Sequence, residues 1–444
     1  SGMSDVEVLR KIVNELSRTY DDVAIVLNKA ERVMVKLWNT EPSVVQNWFD
    51  WDLGVRLSKN RRMWILWLYS KDPEYILKSS NKLLELADKI EESEIYSPLP
   101  EPSKCSPLEN AYDHNVEKYM EDPSKPVELM VNEALSQHVE RVAGMLTLGK
   151  LSKTLITSKG FECEETKTFV EAYLRAFKKE HSGHWAYGST RVDFEKLKTV
   201  GQKAGYYATL TERKADFTPG KYNIVVSPLV AGNLFNYIAR MSSALMILSG
   251  FSFLAKFTPG SRIASDKLSL YDKPRDPLLH GGTGFDDEGT PTYDKPIVEK
   301  GVYATMLHNT GTAKRFGVAS TGNAGWIMPR PWNIEISSGE LREDELVQEL
   351  RDGVLITNNW YTRLQNYFEG YFSTVTRDAT LLVRNGEIIG NIGRVRITSS
   401  FPHILSNIKD MTRTVYDIAW WEVSIPTRAP YIIVQNVQLT KPEV

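Results

Sequence analysis

The sequence predicts an α+β protein of two domains: a helix-rich amino half carrying a mixed or antiparallel sheet, then a strand-rich carboxyl half. Three observations carry this prediction. At 444 residues the chain is longer than one hydrophobic core ordinarily serves. Helical periodicity is concentrated early and short alternating runs with glycine turns come late, without the βαβ alternation of a doubly wound sheet. The composition shifts at ADFTPGKYN, which sets a boundary near residue 215, with one domain over 4–215 and a second over 216–444.

The elements follow in order. DVEVLRKIVNELSRT (5–19) aligns Val8, Ile12, Val13 and Leu16 on one helical face. Val23–Leu27 and Val33–Leu37 read as two strands parted by a polar turn. Asp52–Leu57 and Met63–Tyr69 read as a hairpin with Lys59-Asn60-Arg61 at its tip. Asp72-Pro73 opens a helix to Ile90, Asp as N-cap and Pro at the first helical position. The prolines of YSPLPEPSKCSPL (96–108) demand an extended loop. A second long helix is expected over 126–146, strands near 152–158 and 166–178, and a third helix over 191–205. Ser227-Pro228 starts a helix, Gly250 is a natural stop, and MSSALMILSGFSFLA reads as buried helix running into strand. Later come glycine turns at Gly260, Gly289, Gly301 and Asn385-Gly386, and one helix near 343–353.

The bulk properties exclude several classes. A formal charge of −2 gives no electrostatic case for binding nucleic acid. The 15 uncharged residues after Arg240 fall short of the roughly 20 that cross a bilayer. The opening SGMSDVEVLRKIV has neither the basic nor the apolar region of a secretory signal. Cys105 and Cys163 sit in no CxxC and have no histidine at finger spacing, so a chain without disulfides, soluble and cytoplasmic, is expected.

Little in the residue types marks a catalytic centre. Among seven histidines the one close pair, His181 and His184, lies in EHSGHWAYGS, read as a solvated loop with a metal pair as the rival reading. No HExxH, GxSxG or phosphate loop is present. FDDEGTPT (285–292) sets Asp286, Asp287 and Glu288 side by side. An EF-hand spaces its acids at alternate positions, so a turn that starts a strand competes with a cation site here.

The succession KYNIVVSPLVAGNL (221–234), SDKLSLYDKP (265–274), GFDDEGTPT (284–292), PIVEKGVYATMLHN (296–309), STGNAG (320–325) and LVRNGEI (382–388) resembles the TldD/PmbA family, long labelled modulator of DNA gyrase and understood as metallopeptidases. The resemblance is strongest over 216–436 and extends more weakly over most of the chain. It implies that FDDEG is a shared structural or groove-lining loop. In the TldD branch, HExxxH on the helix after the VVLSP-like strand supplies two zinc ligands and a general base, and a later cysteine completes the metal shell. Here, to within a residue, Asn236, Tyr237 and Met241 stand at those three positions, and both cysteines lie in the amino half. A tyrosine, with an ordinary pKa of about 10, is a poor base at neutral pH.

The resemblance therefore implies a TldE/PmbA-like, non-catalytic subunit with no cofactor of its own. Its partner would be a zinc-bearing HExxxH paralogue or a second copy of itself, its substrate a peptide. The groove or partner-binding candidates are Asn236, Arg240, Asp286, Asp287, Glu288, Thr321 and Asn323, and DIAWWEV (417–423) is a candidate dimer surface. A stand-alone peptidase with unrecognised ligands and a peptide-binding regulator are the alternatives.

Overall fold

The computed structural model describes residues 2–442. Its amino half is organised by one six-stranded antiparallel sheet, and four of the strands are 17 or 19 residues long: β1 (Asp22–Trp38), β2 (Glu41–Lys59), β3 (Arg62–Leu68), β4 (Arg141–Thr157), β5 (Glu162–Lys178) and β6 (His181–Ser189), in the order β3-β2-β1-β4-β5-β6. The expected helix-rich half is thus a sheet with helices on it. These are α1 (Asp5–Leu16), α2 (Pro73–Lys82), α3 (His114–Glu121), α4 (Ser124–Leu135) and α5 (Phe194–Leu210).

The differences from expectation have physical causes. Val23–Leu27 and Val33–Leu37 belong to one strand, because β1 is paired on both sides, Asn28 with Asp52 of β2 and with Lys153 of β4, and the ladder runs through the polar residues between them. The predicted helix over 126–146 stops at Leu135; His138 takes a left-handed φ of 63°, and VAGMLTLG continues as β4 between β1 and β5. Cys105 and Cys163 form a disulfide, with Cα atoms 5.3 Å apart across 58 residues of sequence. The proline-rich segment, which has no regular structure, lies along β5, where Leu108 N–H donates to Glu165, and this brings the two cysteines together.

Alternation gives the first sheet two different faces. Val23, Ile25 and Leu27 pack with Leu9, Ile12 and Leu16 of α1, and farther along, Val35 and Leu37 pack beneath α4 and α5. The opposite face carries Val26, Asn28, Ala30 and Arg32 of β1. Opposite them stand Gly54, Asp52 and Asp50 of β2, then Leu155, Lys153 and Leu151 of β4, then Cys163, Glu165 and Lys167 of β5. This second face meets loops of the carboxyl half: Ala24, Val26 and Leu155 cluster with Phe285 and Trp326.

The remaining elements run β7 (Gly220–Val226), α6 (Pro228–Arg240), α7 (Ala244–Leu248), β8 (Leu270–Asp272), β9 (Lys295–Glu299), β10 (Val302–Tyr303), α8 (Thr310–Phe316), β11 (Ile334–Ile336), α9 (Leu346–Leu350), β12 (Gly353–Ile356), β13 (Asn359–Asn366), β14 (Tyr371–Thr376), β15 (Thr380–Arg384), β16 (Glu387–Asn391), β17 (Arg396–Ser400), α10 (Phe401–Ser406), β18 (Ile408–Met411), β19 (Tyr416–Trp420), β20 (Val423–Ala429) and β21 (Ile432–Thr440). They build two mixed sheets, β10-β9-β8-β11-β20-β19 and β13-β14-β17-β21-β7-β12-β15-β16, with β18 paired to β21. Only β11–β20 and β7–β12 pair in parallel among these named strands. The apolar run after Arg240 becomes α7 and a 3₁₀ turn over Phe253–Lys256, not a strand; Gly250 sits at φ 77°, as a helix stop requires. Among the described residues no helix is long and apolar enough to cross a membrane.

Candidate functional site

Helix α6 begins as its sequence demands: the Ser227 hydroxyl accepts from Leu229 and Val230 N–H, and Pro228 follows. It is wedged between the two carboxyl-half sheets. Asn233 donates to the Glu422 carbonyl at 2.8 Å and accepts from Asn359 at 2.9 Å and Thr362 at 2.7 Å. Asn236, expected to line a groove, is buried and fully engaged. Its Oδ1 accepts from Ile425 N–H at 2.8 Å, and its Nδ2 donates to the Gly232 carbonyl at 2.7 Å and the Thr427 hydroxyl at 2.9 Å. Met241 is a core residue. Tyr237 is half-buried with its hydroxyl 3.5 Å from the Thr362 carbonyl, and burial raises its pKa, which keeps it protonated. Arg240 reaches out to the Ser424 hydroxyl at 2.6 Å.

A zinc ion on this helix would find an engaged amide, a protonated phenol and a buried thioether, and these do not fit it. Among the described residues no group of three or more His, Cys, Asp or Glu is placed to hold a metal. His181 and His184 lie on β6, not in a loop, and their spacing of three sends them to opposite faces. His184 is buried against Trp420 and Tyr173, and burial pushes its pKa down to about 3. Of the aromatic pair in DIAWWEV, Trp420 is buried and Trp421 exposed.

The three acids of FDDEG diverge. Asp286 accepts three backbone N–H groups, from Glu288 at 2.9 Å and from Thr290 and Ala324 at 3.0 Å. Burial and the neighbouring Glu288 carboxylate nevertheless raise its pKa above the usual carboxylate range. Glu288, also buried and raised, accepts from Thr310 N–H at 3.0 Å and the Thr310 hydroxyl at 2.8 Å. Asp287 alone points into open space, 3.3 Å from Lys153 Nζ. STGNAG interlocks with this loop: Asp287 N–H donates to the Ala324 carbonyl, and the Trp326 indole N–H to the Asp287 carbonyl. Thr321 is buried in its own turn, accepting from His308 N–H at 2.7 Å. Asn323 is buried as well; its amide donates to Asp272 at 2.6 Å and to the Arg330 carbonyl at 2.9 Å, so it holds the segment that presents Arg330.

These loops roof a cleft of about 850 Å³ whose floor is the second face of the first sheet. Trp326 stacks on Trp67 with centroids 5.8 Å apart, over Gly54, where an added Cβ would meet both rings at 2.8 Å. Lys153 Nζ donates to the Phe285 carbonyl at 2.7 Å, and Lys167 Nζ to the Gly282 carbonyl at 2.5 Å. Desolvation in the cleft wall, with Lys153 and Arg330 nearby and Glu165 opposing, pushes Lys167 down to about 8. No residue of α6 lines this space. Of the residues singled out from the sequence only Asp287 does. Trp67, Lys153, Lys167, Trp326 and Arg330 come from four segments and carry no local motif. The one available signal was that Asn28–Arg32 holds no Gly or Pro, which argues for a continuous strand with polar residues on a face that needs them.

This fold and its interlocked loops are those of a known class. The family model for the PmbA/TldA metallopeptidase C-terminal domain matches residues 219–441, and that for the central domain matches 79–211. The chain belongs to the TldD/PmbA family. It is 26% identical over 284 residues to a metalloprotease of Synechocystis sp., covering 61% of this chain and 59% of that protein. It is 26% identical over 213 residues to the metalloprotease PmbA of Escherichia coli O157:H7, covering 45% and 42%. The match to the Synechocystis relative thus spans about three fifths of that protein's length. The fold is shared with TldE of Thermococcus kodakarensis, with a TM-score of 0.85, 18% identity and coverage of 98% and 100%. A candidate modulator of a DNA gyrase from Thermotoga maritima also shares it, with a TM-score of 0.85, 22% identity and the same coverage.

Proposed function

We propose that this chain is the non-catalytic, TldE-like subunit of a two-component peptidase, acting on peptides or unfolded protein beside a metal-bearing HExxxH paralogue. The carrying observation is the state of α6. The three positions that would hold the metal and its base are Asn236, Tyr237 and Met241; the amide is spent on β20 and the thioether on the core. Membership in a metallopeptidase family supports the peptide substrate, and the likeness to a TldE structure supports the branch. The subunit would shape the chamber and not perform the cleavage. Alone, it would self-associate as a dimer.

Elemental analysis of protein prepared without chelator tests the reading. The expected result is well under one zinc per chain and no peptidase activity on an unfolded substrate, with activity appearing when the HExxxH paralogue is added. One zinc per chain, with activity lost on chelation and regained with zinc, would overturn it.

A further inference from the structure

The cleft between the first sheet and the FDDEG and STGNAG loops is built for an elongated guest. Its aromatic end lies over β3 and β2, where Trp67 and Trp326 stack, and its cationic end over β4 and β5, where Lys153 and Lys167 stand. From β3 to β5 is four interstrand steps, or about 19 Å, the reach of about six extended residues. Between the ends run Asn28 and Asp52, which offer hydrogen bonds to a peptide backbone.

Most charges in the wall are already matched. Asp50 pairs with Arg32, Asp287 with Lys153, and Lys29 with Asp5. Glu165 is taken up by Leu108 N–H, Gly284 N–H and the Thr283 hydroxyl. Two cations remain. Among the described residues neither Lys167 nor Arg330 has a carboxylate oxygen within 4.0 Å. Lys167 donates only to a carbonyl, and the Arg330 guanidinium lies 4.4 Å from the centre of the Trp332 ring, its N–H edge unengaged. Two like charges facing one cleft repel each other, and one anion between them would relieve both.

We propose that this cleft binds the carboxyl-terminal end of an extended peptide, with the terminal carboxylate on Lys167 and Arg330 and an apolar side chain about five residues upstream against Trp67 and Trp326. The inference rests on the reading of the chain as a peptide-handling subunit only for the class of ligand. Its test uses the isolated chain, so an absent partner and an empty cleft give different results.

The test is calorimetric titration with the hexapeptide Leu-Ala-Ser-Ala-Ala-Ala in three forms: free acid, carboxyl-terminal amide, and amide with an interior glutamate. The free acid should bind about tenfold or more tightly than the amide, because a charge-assisted pair is lost. That preference should vanish in Lys167→Met and in Arg330→Gln; the second side chain is exposed, so its replacement does not put folding at issue. Equal binding of acid and amide, or no heat from either at millimolar peptide, overturns the proposal. An interior-glutamate amide that matches the free acid overturns the assignment to the chain terminus.

Discussion

Helix α6 and the cleft at the first sheet both gather polar side chains, and they dispose of them differently. On α6, Asn233 and Asn236 are tied to backbone and side chains of both carboxyl-half sheets. At the sheet face, Lys167 of β5 and, on the loop above it, the exposed Arg330 keep donors free beside an open volume of about 850 Å³. Buried polar groups with every partner supplied hold a fold together; polar groups with partners missing, next to a space a ligand can enter, are where binding energy remains available. In this chain the amides of α6 are spent on structure, and the free donors lie elsewhere.

The comparison breaks most sharply at Asn236. Asn236→Ala leaves the buried Ile425 N–H without its acceptor, takes from the Thr427 hydroxyl one of its two hydrogen bonds, and should cost about 2–4 kcal/mol in urea denaturation. Affinity for a peptide in the cleft should not change. An unaltered denaturation midpoint would mean that α6 is not the tie described here.

Gly54→Val probes the other side. Its Cβ would fall 2.8 Å from both the Trp67 and Trp326 rings, so the stacked pair must separate. A loss of about 1–3 kcal/mol is expected from overpacking, with a shift in tryptophan emission. Retention of wild-type stability and emission would show that the aromatic end is loose.

The next effect is a pH dependence. Lys167, facing Glu165, Lys153 and Arg330, titrates at about 8 in the free protein, and only its protonated form attracts a carboxylate. A bound anion raises that pKa. Affinity for the free-acid peptide should therefore be level below pH 8 and fall by up to about tenfold per pH unit above it, until the pKa of the complex is reached. Titrations at a series of pH values should show this slope in the wild type and none in Lys167→Met; a flat wild-type profile removes Lys167 from the site.

The smallest effect belongs to Arg240→Ala. This residue is one turn from Asn236 on the same helix, yet it makes only a rim contact with Ser424. Its removal should cost less than about 1 kcal/mol. A loss comparable to that of Asn236→Ala would erase the distinction between tie and rim on α6.

The sequence by itself determined what depends on residue type and near neighbours. The start of α6 at Ser227-Pro228, the N-cap and proline at Asp72-Pro73, and the turns at Gly260, Gly289, Gly301 and Gly386, all at positive φ, follow from caps and backbone freedom that a few adjacent residues set. The poor fit of Asn236, Tyr237 and Met241 to zinc also follows from residue type, because an amide, a phenol and a thioether have that chemistry wherever they stand. Only the tertiary structure decided that Asn28–Arg32 continues a strand, since its backbone is claimed by β2 and β4 from residues far along the chain. It also decided that Cys105 meets Cys163, and that Asn236 faces β20 and not a groove. The cleft is the clearest case: strand register, a long-range quantity that no local pattern encodes, brings Asn28, Trp67 and Lys167 to one face, and a loop packed over that face brings Trp326 and Arg330 to it.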